Sequence, residues 1–178
     1  VENHTTTPGF KNDGDVVMYI GAQRKGLGGT EYLKKIHGLT TGDAPELDIS
    51  FEVKLQESLL DAIKKGWIKS AHDISDGGLA IALAEKAIFS KKGAKISVKD
   101  LAGSEHEVLF SEAQSGIVIT LKPDDLPTVI SHFGQYEVPT HVLGTVTGDK
   151  KMVIEEVGSL DVEEMSEIYE GVLPGIMG

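Results

Sequence analysis

The stretch Lys69-Ser70-Ala71-His72-Asp73-Ile74-Ser75-Asp76-Gly77-Gly78-Leu79-Ala80 constrains the fold of this chain more than any other. An alanine- and leucine-rich segment, Ile81 to Phe89, follows it at once. That layout predicts a short strand, a tight polar turn and a helix N-terminus. A helix start carries backbone N–H groups without intrahelical partners and a partial positive charge, so the turn is a natural place to hold phosphate. Asp73 and Asp76 stand three apart and can converge on one ligand. Carboxylates beside a held phosphate call for a divalent cation, with Mg²⁺ the oxygen-seeking candidate. Ser75 or Asp76 acting as N-cap accounts for the same residues without any ligand, and the two readings are compatible. His72 is a candidate general base by residue type, yet at a strand end it reads as a structural hydrogen bonder.

Charge decides what the turn can use. The 178 residues include 28 acids against 17 bases, a formal charge of −11, which disfavours nonspecific binding to a nucleic-acid backbone. Arg24 is the one arginine. Any bound phosphate must therefore draw its positive field largely from backbone amides or a divalent cation. Cysteine is absent, which removes disulfides, thiolate metal sites and cysteine nucleophiles together and fits a reducing compartment. The six histidines are scattered without the spacing of a zinc site. No apolar run approaches a membrane span and no leader-like segment opens the sequence, so a cytoplasmic protein is expected.

Before the turn, residues 1–15 read as a polar extended arm ending in a turn. Val16-Val17-Met18-Tyr19-Ile20 is a short buried strand. Gly26-Leu27-Gly28-Gly29-Thr30-Glu31 is a glycine-rich loop with Thr30 as N-cap of a helix over residues 32–36. Phe51, Leu55, Leu59, Ala62 and Ile63 fall at helical spacing, and Gly66 ends that helix.

After the turn helix, which Lys91-Lys92-Gly93 closes, residues 94–98 alternate as a strand and 117–121 form a second β-branched one. Between them, Phe110-Ser111-Glu112-Ala113-Gln114-Ser115 gathers hydroxyl, carboxylate and amide groups in what reads as a loop, a second candidate site. A helix to about Phe133 follows Pro123 or Pro127. Residues 138–146 and 152–157 are expected as two strands joined by the turn Thr147-Gly148-Asp149-Lys150. The acidic segment 161–170 reads as a helix, with a loose end from Leu173. Strands and helices mix without strict alternation, which predicts an α+β fold with helices on a mostly antiparallel sheet in one domain.

Three of these segments carry a resemblance. Residues 70–80, with Gly28-Gly29-Thr30-Glu31-Tyr32-Leu33 before them and Leu109-Phe110-Ser111-Glu112-Ala113-Gln114-Ser115 after, resemble the synthetase subunit of phosphoribosylformylglycinamidine synthase. Pro45-Glu46-Leu47-Asp48 and Gly144-Thr145-Val146 add to the likeness, which covers nearly the whole chain in one order. The resemblance implies a three-layer α/β/α, partly ferredoxin-like C-terminal domain of the aminoimidazole ribonucleotide synthetase type. Residues 1–14 would then be the arm or linker from a missing N-terminal domain.

It further implies a ligase that uses ATP and Mg²⁺ to convert formylglycinamide ribonucleotide and glutamine-derived ammonia to the formylglycinamidine, with glutaminase and small bridging subunits or domains as partners. Asp73, Ser75, Asp76, Gly77 and Gly78 would form the ATP side of the cleft. Ser111 and Gln114 would meet substrate and Glu112 the metal. No catalytic residue is assigned here, because the catalytic motifs belong to the other half, and the chain alone is expected to be inactive. Alternatives are a domain of a related ATP-using enzyme (aminoimidazole ribonucleotide synthetase, thiamine-monophosphate kinase or selenophosphate synthetase type) and a noncatalytic ligand-binding domain.

Overall fold

A computed structural model describes residues 5–22 and 26–177, with side chains described through residue 171. In chain order the elements are β1 (Val16–Gly21), α1 (Glu31–His37), α2 (Ile49–Lys64), β2 (Ile68–Asp73), α3 (Gly78–Ser90), β3 (Gly93–Ile96) and α4 (Glu105–Phe110). They continue with β4 (Gly116–Leu121), a 3-10 turn (Pro123–Asp125), α5 (Leu126–Gln135), β5 (Thr140–Thr147), β6 (Lys151–Ile154), β7 (Gly158–Asp161) and α6 (Val162–Met177).

The strands form one sheet in the order β2-β4-β1-β5-β3-β6-β7, with every pairing antiparallel except β3 with β6. β1 shows why the sheet is a middle layer. Its side chains alternate between faces, yet all six residues are buried. Val16, Met18 and Ile20 pack with Ile119 and Leu121 of β4 under Leu55 and Ala62 of α2 and Val129 and Phe133 of α5. Val17 and Tyr19 face Leu79, Leu83 and Ala87 of α3, a core shared with Val162 and Met165 of α6. Helices therefore cover both faces, and the fold is the three-layer α+β arrangement expected from the sequence.

Four local expectations change. β5 and β6 are not paired as a hairpin: β3 lies between them, antiparallel to β5 and parallel to β6. The hairpin partner of β6 is β7, a short exposed edge strand absent from the sequence reading. The polar stretch before Phe110 contains helix α4, started by a capping box in which the Ser104 hydroxyl accepts from the Glu107 amide and the Glu107 carboxylate accepts from the Ser104 amide. The end of the chain continues α6 to Met177 rather than loosening at Leu173.

The arm is also less free than its polarity suggests. Phe10 and Asp15 are buried, and Thr7 bridges to Ser70 on β2.

Candidate functional site

β2 delivers Asp73 to the end of the sheet beside the start of β4, where Asp73 pairs with Ile117 and the Ile74 amide donates to the Gly116 carbonyl at 2.9 Å. Antiparallel pairing of β2 and β4 thus brings the turn at residues 73–78 against residues 110–116, the second candidate segment. The loop before α1 completes the cluster. The Glu112 carboxylate (Oε1) accepts from the Gly77 amide at 2.8 Å and from the Glu31 amide at 2.8 Å. One side chain therefore ties together the starts of α3 and α1.

This contact revises the reading of the turn. Neither Ser75 nor Asp76 caps α3: Gly77 is the N-cap residue in a left-handed conformation, and no side chain of the turn bonds to the helix start. The Gly78 amide is turned back to the Ser75 carbonyl at 3.0 Å. The Gly77 amide already faces an anion, the Glu112 carboxylate, so it is not the open phosphate donor that the sequence suggested.

Packing accounts for the glycine pair. A Cβ on Gly78 (φ +71°) would sit 2.6 Å from the Leu109 carbonyl oxygen, and one on Gly77 (φ +80°) would sit 2.3 Å from Ile81 Cγ1. Close approach of α3 to the end of α4 thus demands Gly78, and the left-handed start of α3 under Ile81 demands Gly77, whatever the turn binds.

Asp73, Ser75 and Asp76 remain exposed at the rim. His72 is largely buried, its Nδ1 2.7 Å from the Asp73 carbonyl oxygen and its Nε2 3.0 Å from Glu85 Oε2. Both ring nitrogens lie within bonding distance of an acceptor oxygen, which suits a structural hydrogen bonder.

Ser111 is buried, and its hydroxyl has no hydrogen-bond partner among the described residues. It lines a small cavity of about 40 Å³ with Tyr19, Ile74, Leu79 and Val108. Gln114 is exposed, whereas Ser115 is buried with φ +64° and bonds to the Glu52 carboxylate.

Thr30 caps α1, accepting from the Leu33 amide, as its place before the helix predicts. Of the glycines before it, Gly28 has a packing role: its Cβ would lie 2.5 Å from the Asp43 carbonyl oxygen. Tyr32 stacks on Phe110 with ring centroids 4.6 Å apart, which fixes α1 over α4; sequence reading gave no signal for that pair. Lys34 donates to Glu31 at 2.7 Å, and this bond, more than the nearby charges of Asp76 and Glu112, pushes the Lys34 ammonium pKa up.

The described residues contain no group of three metal-ligating side chains. With one Glu112 oxygen committed to two amides, the described residues by themselves do not assemble an Mg²⁺ site. Arg24 lies outside the described residues.

A sheet with helices on both faces, and a site where a strand end, two helix starts and a Phe-Ser-Glu turn meet, define a recognisable class. The family described as AIR synthase related protein, C-terminal domain, matches residues 12–156, and the chain belongs to that family. Within it, the chain is 43% identical over 172 residues to the phosphoribosylformylglycinamidine synthase subunit PurL of Symbiobacterium thermophilum, an alignment covering 93% of this chain and 22% of that subunit. The chain thus spans about a fifth of the length of that curated relative.

Among solved structures, PurL of Thermotoga maritima complexed with FGAR superposes with a TM-score of 0.74 at 19% identity, over 90% of this chain and 29% of that one. The same protein complexed with ATP gives 0.71 at 17% identity, over 92% and 27%. At such identity these likenesses establish the fold. No helix among the described residues is long and apolar enough to cross a membrane.

Proposed function

We propose that this chain is a single C-terminal synthetase-type domain, with residues 1–14 as its entering arm, of a phosphoribosylformylglycinamidine synthase. In this reading ATP phosphorylates the formamide oxygen of formylglycinamide ribonucleotide, and glutamine-derived ammonia displaces phosphate, leaving ADP. The reaction belongs to purine biosynthesis in the cytoplasm. It needs the N-terminal half for its catalytic groups, and glutaminase with small bridging subunits or domains for its ammonia.

The observation that carries this reading is the meeting of three segments, residues 28–33, 73–78 and 109–115, on the Glu112 carboxylate. Asp73, Ser75 and Asp76 offer the exposed polar rim for the ATP side, with Gly77 and Gly78 shaping the turn. The unpartnered Ser111 hydroxyl and the exposed Gln114 suit contacts to substrate. Mg²⁺ accompanies ATP, with Glu112 as this chain's contact to it. The remaining ligands come from phosphate oxygens and the other half of the enzyme, since the described residues do not supply them.

The test is ammonia-dependent formylglycinamidine synthesis by the full-length enzyme. Asp76→Asn and Ser111→Ala are expected to raise KM for ATP and for formylglycinamide ribonucleotide respectively, by about tenfold each, the loss of one hydrogen bond to a charged group. Wild-type kinetics in both variants would overturn the assignment. The 178-residue chain alone is expected to show no turnover.

A further inference from the structure

Lys86 lies in the middle of α3 and is fully buried, although no carboxylate among the described residues pairs with it. Its Nζ stands 2.8 Å from the Pro8 carbonyl oxygen on the arm, 2.8 Å from Ser70 Oγ on β2 and 3.4 Å from the Val118 carbonyl oxygen on β4. Phe10 covers it with its ring centroid at 5.5 Å, and the Phe10 amide donates to the Lys86 carbonyl. With the Thr7 to Ser70 bridge, these contacts seat the arm on the edge of the sheet, three residues along β2 from Asp73 at the strand end.

We propose that Lys86 is a positioning residue whose buried amine fastens the arm to β2 and α3, holding the arm and the turn at residues 73–78 as one body until protonation loosens it. The surrounding oxygens bond the amine in either state, but among the described residues they bring no counter-charge, so a buried ammonium is left unneutralised whereas a neutral amine is not. An ammonium donates to Pro8, Ser70 and Val118, with the Ser70 hydroxyl donating to Thr120 Oγ1 at 2.7 Å. A neutral amine keeps the two carbonyl bonds and accepts from Ser70 once the Ser70–Thr120 pair reverses, since either hydroxyl can be the donor.

Burial is the main force on this equilibrium. It lowers the Lys86 pKa from 10.5 to about 7, with the positive charge of Lys11 adding to the effect. Among the described residues, the charged groups on the packed elements are Lys11, Asp13 and Asp15 of the arm, Lys69, His72 and Asp73 of β2, and Glu85 of α3; β4 carries none. Glu85 is taken by His72, Asp13 by Lys92 and Asp15 by Asn12, so the acids nearest in sequence are engaged elsewhere.

The sign follows from proton binding. The seated state holds fewer protons than an opened state in which water reaches Nζ, so seating strengthens as pH rises from about 7 to about 10.5 and is weakest below that window.

Amide hydrogen exchange on the 178-residue chain tests this, expressed as protection factors to remove the intrinsic pH dependence. Protection of Phe10 and of Ile74, whose amide donates to Gly116, is expected to rise about tenfold or more between roughly pH 7 and pH 9, and to be flat in Lys86→Met. A flat profile at either amide in the unaltered chain, or the same slope in the variant, would overturn the proposal. Because the unaltered chain carries the pH measurement, it decides even if Lys86→Met does not fold.

Discussion

Removing the Glu112 carboxylate leaves the Gly77 and Glu31 amides, both at 2.8 Å from it, without their acceptor. Hydrogen bonds to a charged group are worth about 1.5–3 kcal/mol each, and losing a helix N-cap acceptor costs about 0.5–2 kcal/mol. Glu112 is only half-buried, so water recovers part of the loss. Glu112→Ala is therefore expected to destabilise the chain by about 3 kcal/mol in total, with a fall in melting temperature of about 6–12 °C for a domain of this size. Glu112→Gln keeps one acceptor oxygen and loses the charge, and should cost only about 1 kcal/mol. Urea titration with an unchanged slope measures both. If Glu112→Ala falls within about 0.5 kcal/mol of the unaltered chain, the carboxylate does not hold the two helix starts together and the reasoning fails.

The surrounding geometry supports further outcomes. Gly78→Ala should cost about 2–4 kcal/mol in urea titration, because its Cβ would meet Leu109 backbone at 2.6 Å in a left-handed conformation. Ser111→Ala should leave stability unchanged or raise it by up to about 1 kcal/mol in the isolated chain, since it deletes a buried hydroxyl without a partner; a clear loss would mean the hydroxyl is bonded. Ser104→Ala should lower stability by about 1 kcal/mol through the lost cap of α4. Unfolding free energy should increase between about pH 7 and pH 10.5 by up to roughly 3–4 kcal/mol, because over that window the buried Lys86 amine is neutral while the unfolded chain still carries its proton, and a flat profile there would count against its burial as a neutral amine.

Local pattern alone was enough for the elements that hold the site. The β-branched run at Val16, the spacing of Leu55, Leu59 and Ala62, and the polar turn leading into α3 each satisfy a nearest-neighbour rule, so a linear reading finds them. The cap at Thr30 follows the same logic. α4 was legible too, since Ser104-Glu105-His106-Glu107 spells a capping box, but the polar residues around it masked the signal.

Tertiary structure decided what depends on contacts between distant residues. The insertion of β3 between β5 and β6 is a choice of partners that no local pattern encodes. Lys86 looks like a surface residue in an alanine- and leucine-rich run, and only the closing of the arm over α3 makes it a buried amine. The acceptor for the start of α3 comes from Glu112, 35 positions away, rather than from the turn's own acids. Helix capping within a turn can be read from spacing, whereas capping across the fold requires two helix starts to be packed within reach of one carboxylate, and packing settles that.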